Sequence, residues 1–124
     1  MARYETIYVV DDDDAVRDAI RLLLEAEGFN VVALASAGDF LHHARPDGAS
    51  CLVLDVHMPA MSGFELLDRI RLDKAGVPTV LITGRPDAAT LAAARRAGVA
   101  LLQKPFLANE LMEAIKEALQ KRLH

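Results

Sequence analysis

Short apolar runs alternate along the chain with longer stretches in which apolar residues recur every three or four positions. A continuous apolar run bounded by turn residues is typical of a strand buried on both faces, and the three-to-four spacing is typical of a helix with one buried face. The pattern predicts strands at residues 7–10, 30–34, 49–54, 78–82 and 99–102. It predicts helices at residues 14–27, from Ser36 or Asp39 to 45, and at 63–72, 86–97 and 107–121.

This alternation predicts the fold class. Strands separated by helices of this length are joined by crossovers, which place the strands parallel in one sheet. The predicted fold is therefore α/β, a doubly wound (βα)5 sheet of five parallel strands with helices on both faces. The flavodoxin-like strand order 2-1-3-4-5 is the expected arrangement. In that order the first and third strands are neighbours at the switch point, where ligands of such sheets bind.

Three helix ends carry recognisable capping residues. Asp14 is suited to cap the start of the first helix through its carboxylate. Gly28 and Gly98 follow the first and fourth predicted helices, where glycine readily adopts the left-handed conformation that ends a helix.

Length and composition exclude several classes of protein. A chain of 124 residues with 52% hydrophobic content predicts one domain, residues 1–124, with a substantial core. The formal net charge of -4 and the scattered basic residues disfavour direct contact with nucleic acid or anionic lipid. No apolar run approaches the ~20 residues of a membrane span, and the N-terminus lacks the apolar stretch of a signal peptide. With Cys51 as the single cysteine, neither a disulfide nor a cysteine-based zinc site is expected. We therefore expect a cytoplasmic protein.

Carboxylates end the two strands that the predicted order makes neighbours. The first strand is followed by Asp11-Asp12-Asp13-Asp14, and the third is followed by Asp55. Carboxylates this close repel one another and stay ionised only beside a compensating cation. Oxygen ligands without a cluster of cysteine or histidine favour Mg²⁺, with Mn²⁺ as the alternative. Asp13 and Asp14 are better explained as turn and helix-capping residues.

Two further strand ends bring hydrogen-bond donors to the same edge of the sheet. Thr83-Gly84 follows the fourth strand, and Gln103-Lys104-Pro105 follows the fifth. A hydroxyl, a backbone N–H and an ammonium around a carboxylate suit an aspartate that attacks phosphorus and carries an aspartyl phosphate. Each of these residues alone would be an ordinary turn or surface residue. Their combination predicts a phosphoryl-transfer site.

These motifs resemble those of the receiver domain of two-component response regulators, over about residues 4–119. The matching segments are Val9-Val10-Asp11-Asp12, Leu54-Asp55-Val56-His57-Met58-Pro59-Ala60-Met61-Ser62-Gly63, Leu81-Ile82-Thr83-Gly84 and Lys104-Pro105-Phe106. The resemblance implies a domain that takes a phosphoryl group from a histidine kinase or phosphotransfer protein and signals to a downstream effector domain or protein, with transcription regulation as a candidate output. It implies self-phosphorylation and slow autodephosphorylation, without turnover of an external substrate.

The resemblance also implies which residues accept the phosphoryl group and hold the metal. Asp55 would be the phospho-acceptor. Asp12 would bind Mg²⁺ directly, Asp11 would bind it mainly through water, and the backbone carbonyl of His57 would complete the protein ligands.

The donors to the phosphoryl oxygens are implied in the same way. The Thr83 hydroxyl and the Lys104 ammonium would each contact one oxygen, and the backbone N–H groups of Val56 and Gly84 would supply the remaining hydrogen bonds. The Lys104-Pro105 peptide bond is typically cis in this family, and we expect it to be cis in this chain.

Three residues bear on phosphoryl lifetime and signalling. His57 stands two places after Asp55, and Arg85 two places after Thr83, where both would flank an attacking water. Each residue either tunes the lifetime of the phosphoryl group or is a solvent-facing loop residue. Leu101 stands three places before Lys104, where the family usually has Tyr or Phe. Signalling through the fourth helix, fifth strand and fifth helix would then be weaker or carried by the backbone of residues 83–87. The same face is a candidate for homodimerisation on activation.

Two other functions fit parts of the pattern. A pseudo-receiver would keep the fold as a protein-interaction module with weak coupling to phosphorylation, in line with Leu101. A phosphatase of the dehalogenase type would use Asp55 as nucleophile, but it would need a second aspartate at the place that His57 occupies. The chain is also short for the substrate cap of such an enzyme.

Overall fold

One sheet organises the residues that the structure, a computed structural model, describes: 5–43, 51–72 and 77–121. Its strands are β1 (Thr6–Val10), β2 (Asn30–Leu34), β3 (Cys51–Asp55), β4 (Thr79–Thr83) and β5 (Ala100–Gln103). The helices are α1 (Asp14–Ala26), α2 (Ala37–His43), α3 (Gly63–Leu72), α4 (Ala88–Ala97) and α5 (Ala108–Lys121). All strand pairs are parallel, in the order β2-β1-β3-β4-β5. The predicted fold class and strand order are confirmed.

The carboxyl ends of three strands lie further along the chain than the apolar pattern predicts. β3 continues through Asp55, β4 through Thr83 and β5 through Gln103. Backbone pairing causes the extension, because Asp55 is paired with Ile82 and Thr83 with Gln103. The hydrogen bonds of the sheet join main-chain groups, so a polar side chain does not interrupt the pairing. The predicted start of the third strand at residue 49, and the predicted end of the second helix at 45, lie outside the described residues.

The first and fourth helices each have an aspartate at the N-cap. Asp13, rather than Asp14, is the N-cap of α1, where its carboxylate accepts hydrogen bonds from two backbone N–H groups. Asp87 caps α4, so that helix begins at Ala88 instead of residue 86. The hydrogen bond from the capping side chain fixes where the helix begins, because it satisfies a first-turn N–H that has no partner within the helix. Gly28 and Gly98 have the predicted positive φ, 92° and 72°.

The core has two layers, one on each face of the sheet. On the first face, Ile20 and Leu24 of α1 and Leu111 and Ile115 of α5 pack in one buried cluster. On the other face, α2, α3 and α4 contribute a second buried cluster: Ala37, Phe40, Leu66, Ile70 and Ala94. Every residue of β3 and β4 is buried, which explains why those strands read as continuous apolar runs. Among the described helices, none has the length and apolar composition to span a membrane.

Candidate functional site

Three carboxylates converge beyond the carboxyl ends of β1 and β3. The register pairs Val10 with Leu54, so the next residues along the two strands, Asp11 and Asp55, are neighbours. Oxygen atoms of Asp11, Asp12 and Asp55 all lie within 4.8 Å of one another. Asp11 is 0% exposed and Asp55 is 3% exposed, whereas Asp12 is open to solvent. The structure therefore brings together the three acidic residues that the sequence singles out.

Lys104 approaches this cluster from the end of β5. Its Nζ lies 2.9 Å from Asp11 Oδ2 and 3.5 Å from Asp55 Oδ1. Its backbone N–H donates to the carbonyl of Thr83 at 2.8 Å, which ties the lysine to the end of β4. The Lys104-Pro105 peptide bond is cis, as expected from the resemblance. The Lys104 ammonium thus forms ion pairs with two buried carboxylates.

The surroundings of Asp55 oppose its ionised form. Burial, and next the negative charge of Asp11, raise the pKa of Asp55 from 3.8 to about 7. Lys104 and the backbone N–H of His57 pull that pKa down but do not offset the rise. The pKa of Lys104 is raised, because its contacts with Asp11 and Asp55 outweigh the lowering effect of burial. The cluster therefore carries more negative charge than one lysine balances.

The donor set fits a hard divalent cation. Asp11 Oδ1 accepts a hydrogen bond from the Asp13 backbone N–H at 2.9 Å. Asp11 Oδ2 is buried and has no hydrogen-bond partner among the described residues, and the Lys104 ammonium, 2.9 Å away, is the charge beside it. A buried carboxylate oxygen without a directed donor is costly unless a charge sits beside it. Three carboxylates with such an oxygen could hold a metal ion.

Thr83 presents a hydroxyl at the neighbouring strand end. The residue is 0% exposed, and its Oγ1 accepts a hydrogen bond from the Arg85 backbone N–H at 2.9 Å. A hydroxyl that accepts one bond still has its own proton to donate. Gly84 follows Thr83 and is exposed on the wall of the cleft described below.

The Val56 backbone N–H is engaged elsewhere, and this corrects the expectation that it faces a ligand. It donates to the carbonyl of Ile82 at 2.9 Å, as part of the pairing between β3 and β4. The backbone N–H of the next residue, His57, is near enough to the Asp55 carboxylate to lower its pKa. The expectation came from the family resemblance, whereas in this structure the sheet itself uses the Val56 N–H.

An open cleft of about 620 Å³ lies over the cluster. Its lining residues come from four strand ends and the loops that follow them: Asp12, Asp13, Asp55, Val56, His57, Met58, Ser62, Gly84, Arg85 and Lys104. His57 and Arg85, the two predicted tuning residues, are both exposed and both line this cleft.

Gly63 supports the site in a way that the motif alone does not reveal. Its N–H donates to the Val56 carbonyl at 2.9 Å, and a Cβ at this position would lie 2.4 Å from the Asp55 carbonyl oxygen. Ser62 and Glu65 form a reciprocal capping box at the start of α3, at 3.1 and 3.2 Å. The Ser-x-x-Glu spacing was the available sequence signal for this cap. Together these contacts seat α3 directly against the backbone that carries Asp55.

Leu101 lies on β5, paired with Leu81 of β4. It is partly buried and packs against the core cluster that includes Ala94 of α4. Leu101, which stands where the family usually has Tyr or Phe, therefore packs as an apolar side chain on the α4 side of the sheet.

Comparison with known proteins identifies the family. The sequence profile of the response regulator receiver domain matches residues 7–116. The chain belongs to this family. It is 37% identical over 114 residues to the transcriptional regulatory protein FixJ of Azorhizobium caulinodans, covering 91% of this chain and 54% of that protein.

Two further receiver-containing proteins are similar. The response regulator protein TodT of Pseudomonas putida is 36% identical over 119 residues, which cover 95% of this chain and 52% of TodT. The crystal structure of FixJ-N superimposes with a TM-score of 0.82 at 35% identity, covering 97% of this chain and 96% of that one. The chain spans about half the length of the curated relatives that it matches.

Proposed function

We propose that this chain acts as a single receiver domain, residues 1–124, that accepts a phosphoryl group on Asp55 in a Mg²⁺-dependent reaction. The donor would be a phosphohistidine of a histidine kinase or phosphotransfer protein. The observation that carries the proposal is the convergence of Asp11, Asp12 and Asp55 within 4.8 Å, with the Lys104 ammonium 3.5 Å from the Asp55 carboxylate. An acceptor carboxylate, a cation site and a cationic side chain thus share one cleft.

The chemical step is an attack of one Asp55 carboxylate oxygen on phosphorus. The bond from phosphorus to the donor imidazole nitrogen breaks as the new P–O bond forms, and the imidazole leaves with the electron pair. Asp55 must be ionised to attack, yet its pKa of about 7 shows that the apo pocket resists the charge. Mg²⁺ supplies positive charge to the carboxylates and the phosphoryl oxygens when bound. Asp11, Asp12, Asp55 and the His57 carbonyl are the groups that would hold it, and Mn²⁺ is the alternative ion.

Hydrogen-bond donors around Asp55 would hold the transferred group. The Thr83 hydroxyl retains a proton to donate, and the Lys104 ammonium already reaches the Asp55 carboxylate. Gly84 and His57 would supply backbone N–H groups. His57 takes this role in place of Val56, because the Val56 N–H is bonded within the sheet. Positioning and charge neutralisation account for catalysis in such a site.

Loss of the phosphoryl group would follow from attack of water through the open side of the cleft. His57 and Arg85 are exposed there, so their side chains would limit or orient the water. We propose that both tune the lifetime of the aspartyl phosphate. Shorter side chains at either position would then change the hydrolysis rate without changing the acceptor.

The signal would leave through the loop between β4 and α4. Thr83 Oγ1 accepts from the Arg85 N–H at 2.9 Å, and the Arg85 carbonyl accepts from the Asp87 N–H at 2.9 Å. Asp87 in turn caps α4 through the Thr90 N–H at 2.8 Å. This hydrogen-bond chain links the hydroxyl of the site to the start of α4 without an aromatic ring. Repacking of α4, β5 and α5 would then reach an effector domain or protein, or a second copy of the chain.

Incubation with acetyl phosphate and Mg²⁺, followed by intact-mass measurement, tests the proposal. We expect one phosphoryl adduct on the native chain and none on Asp55→Asn or in excess chelator. Asp68→Asn, which changes an exposed carboxylate on α3, is the matched control and should form the adduct. An unmodified native chain would instead support an interaction module that keeps the fold without the chemistry. An adduct that persists in Asp55→Asn would place the acceptor elsewhere.

A further inference from the structure

Arg17 contacts the acidic loop from the first turn of α1. Its side chain is 16% exposed, little for an arginine. Nη1 donates to the backbone carbonyl of Asp11 at 2.8 Å, and Nη2 forms an ion pair with the Asp14 carboxylate. Its own backbone N–H donates to the Asp13 carbonyl at 2.9 Å. Arg17 thus contacts Asp11, Asp13 and Asp14, which lie between the end of β1 and the start of α1.

Arg21, one turn later on the same helix, has a different kind of environment. It pairs with Asp18 at 3.8 Å and with Glu25 at 3.0 Å, both on the helix surface. Such i,i+3 and i,i+4 pairs stabilise a helix by only about 0.3–0.5 kcal/mol. Arg17 differs because one of its bonds reaches the main chain of a proposed metal ligand.

We propose that Arg17 is a positioning residue for the cation site, an inference that rests on the proposed function. The Asp11 carbonyl and the Asp12 N–H belong to one rigid peptide plane, so the bond from Arg17 sets the direction in which Asp12 leaves β1. The Asp13 N–H holds the Asp11 carboxylate from the other side. Asp12 itself is exposed, so the backbone on either side is what aims its carboxylate toward Asp11 and Asp55.

Positioning and simple charge predict opposite effects on cation affinity. By Coulomb attraction alone, removing the positive charge of Arg17 would tighten the binding of Mg²⁺. If Arg17 holds the loop in the binding geometry, its removal weakens binding, because the ligands must then be ordered when the ion arrives. Partners behind the ligands of a metal site typically contribute about 10–100-fold in affinity when they bond to the ligating side chain. For a bond to a ligand's backbone at a solvent-open site we expect about 3–10-fold.

Calorimetric titration of Mg²⁺ into the phosphate-free full chain measures this directly. We expect Arg17→Met to bind Mg²⁺ about 3–10-fold more weakly than the native chain. Arg17→Lys keeps the positive charge but lacks the guanidinium fork that spans the Asp11 carbonyl and the Asp14 carboxylate. Its affinity for Mg²⁺ should therefore lie between those of the native chain and Arg17→Met. Arg21→Met, the matched control, loses the same charge from the same helix and should bind as tightly as the native chain or slightly tighter.

The possible results separate the inference from the proposed function. A native chain that binds no Mg²⁺ and forms no adduct with acetyl phosphate would refute the proposed function. A native chain that binds Mg²⁺, with Arg17→Met binding as tightly or more tightly, would refute the role of Arg17 alone. Circular dichroism confirms that each variant is folded. Should Arg17→Met not fold, Arg17→Lys decides: affinity equal to that of the native chain would overturn the inference, and weaker binding would support it.

Discussion

The Lys104 ammonium lies closer to Asp11 than to Asp55, at 2.9 Å against 3.5 Å. The lysine therefore lies nearer to a carboxylate that is not the proposed acceptor. A divalent cation beside Asp11 would take over that neutralisation. The ammonium would then be available to a phosphoryl group on Asp55.

Replacing Lys104 by Met should destabilise the apo protein at neutral pH. The raised pKa of Lys104 means that the folded state favours the charged ammonium. That contribution is complete below the ordinary lysine pKa of 10.5 and is lost as pH rises through the higher folded value. At this edge, open to water, we expect the free energy of unfolding to fall by roughly 1–2 kcal/mol at pH 8.

Urea unfolding of the Lys104→Met variant, with Lys116→Met as an exposed control on α5, measures the effect. The loss should shrink as the pH falls through about 7, where the Asp55 carboxyl takes up its proton and no longer needs the ammonium. A variant as stable as the native chain at pH 8 would show that the ion pairs contribute nothing net.

Asp55→Asn should stabilise the protein in the absence of Mg²⁺. The Asp55 carboxyl has a pKa of about 7 in the folded protein against 3.8 ordinarily. Below pH 3.8 it is protonated in both states; between there and pH 7 only the unfolded chain ionises, so stability falls as pH rises through this window. A neutral asparagine avoids that loss, and at this solvent-facing edge we expect a gain of roughly 1–3 kcal/mol at pH 8.

Denaturant unfolding at pH 8 and pH 4 tests this directly, since the gain should be present at the higher pH and almost absent at the lower. Asp68→Asn, at an exposed position, should change stability by less than about 0.5 kcal/mol at both. Added Mg²⁺ should stabilise the native chain more than Asp55→Asn. A variant that gains equally at both pH values would contradict the electrostatic explanation.

The hydrophobic pattern predicted the helices and strands well, because continuous apolar runs and the three-to-four spacing both reflect which side chains are buried. Continuous apolar runs marked β3 and β4, whose residues are all buried, and the strand order followed from crossover geometry. The strand ends were less well predicted. Asp55 is polar and yet paired in the ladder with Ile82, and main-chain pairing leaves no trace in side-chain polarity. The Val56 N–H, which the family resemblance assigned to the phosphoryl group, belongs to the same main-chain pairing.

Runs of similar residues also hide which member has a given role. Asp11 to Asp14 are identical in type, and the backbone path decides that Asp13 caps α1 while Asp11 turns inward. Arg17 looked like one of several scattered basic residues, because its bond to the Asp11 carbonyl depends on the turn between them. Residue type predicted the chemistry of the site, whereas the contacts that each residue makes depend on the path of the backbone.

Gly63→Ala should damage both stability and phosphorylation. A Cβ there would lie 2.4 Å from the Asp55 carbonyl oxygen and 3.0 Å from Val56 Cα, and both are backbone atoms that cannot rotate away. Either α3 or the end of β3 must shift, which should lower the free energy of unfolding by about 1–3 kcal/mol. Since Asp55 lies on that backbone, adduct formation should slow as well.

Gly38→Ala on α2 provides the control, because its Cβ would meet only Ser36 Oγ at an ordinary 3.8 Å. Replacing a helical glycine by alanine should stabilise that variant by about 0.5–1 kcal/mol. Thermal unfolding and acetyl phosphate labelling of both variants give the comparison. Equal behaviour of the two would mean that the close approach of α3 to the Asp55 backbone is unimportant.

Asp87→Ala should separate phosphoryl binding from the response of α4. The substitution removes the carboxylate that accepts the Thr90 N–H and so detaches α4 from the hydrogen-bond chain that begins at Thr83. Asp87→Asn keeps an acceptor at the cap and should keep the link, since the two residues cap helices about equally well. Beryllofluoride with Mg²⁺, a phosphoryl analogue, should bind both variants, because neither substitution touches the cluster around Asp55. In amide NMR spectra, the shifts that it induces in residues 88–97 should be reduced in Asp87→Ala and retained in Asp87→Asn. A full response of α4 in Asp87→Ala would assign the relay to another path, with the packing of Leu101 against the α4 side of the core as the next to test.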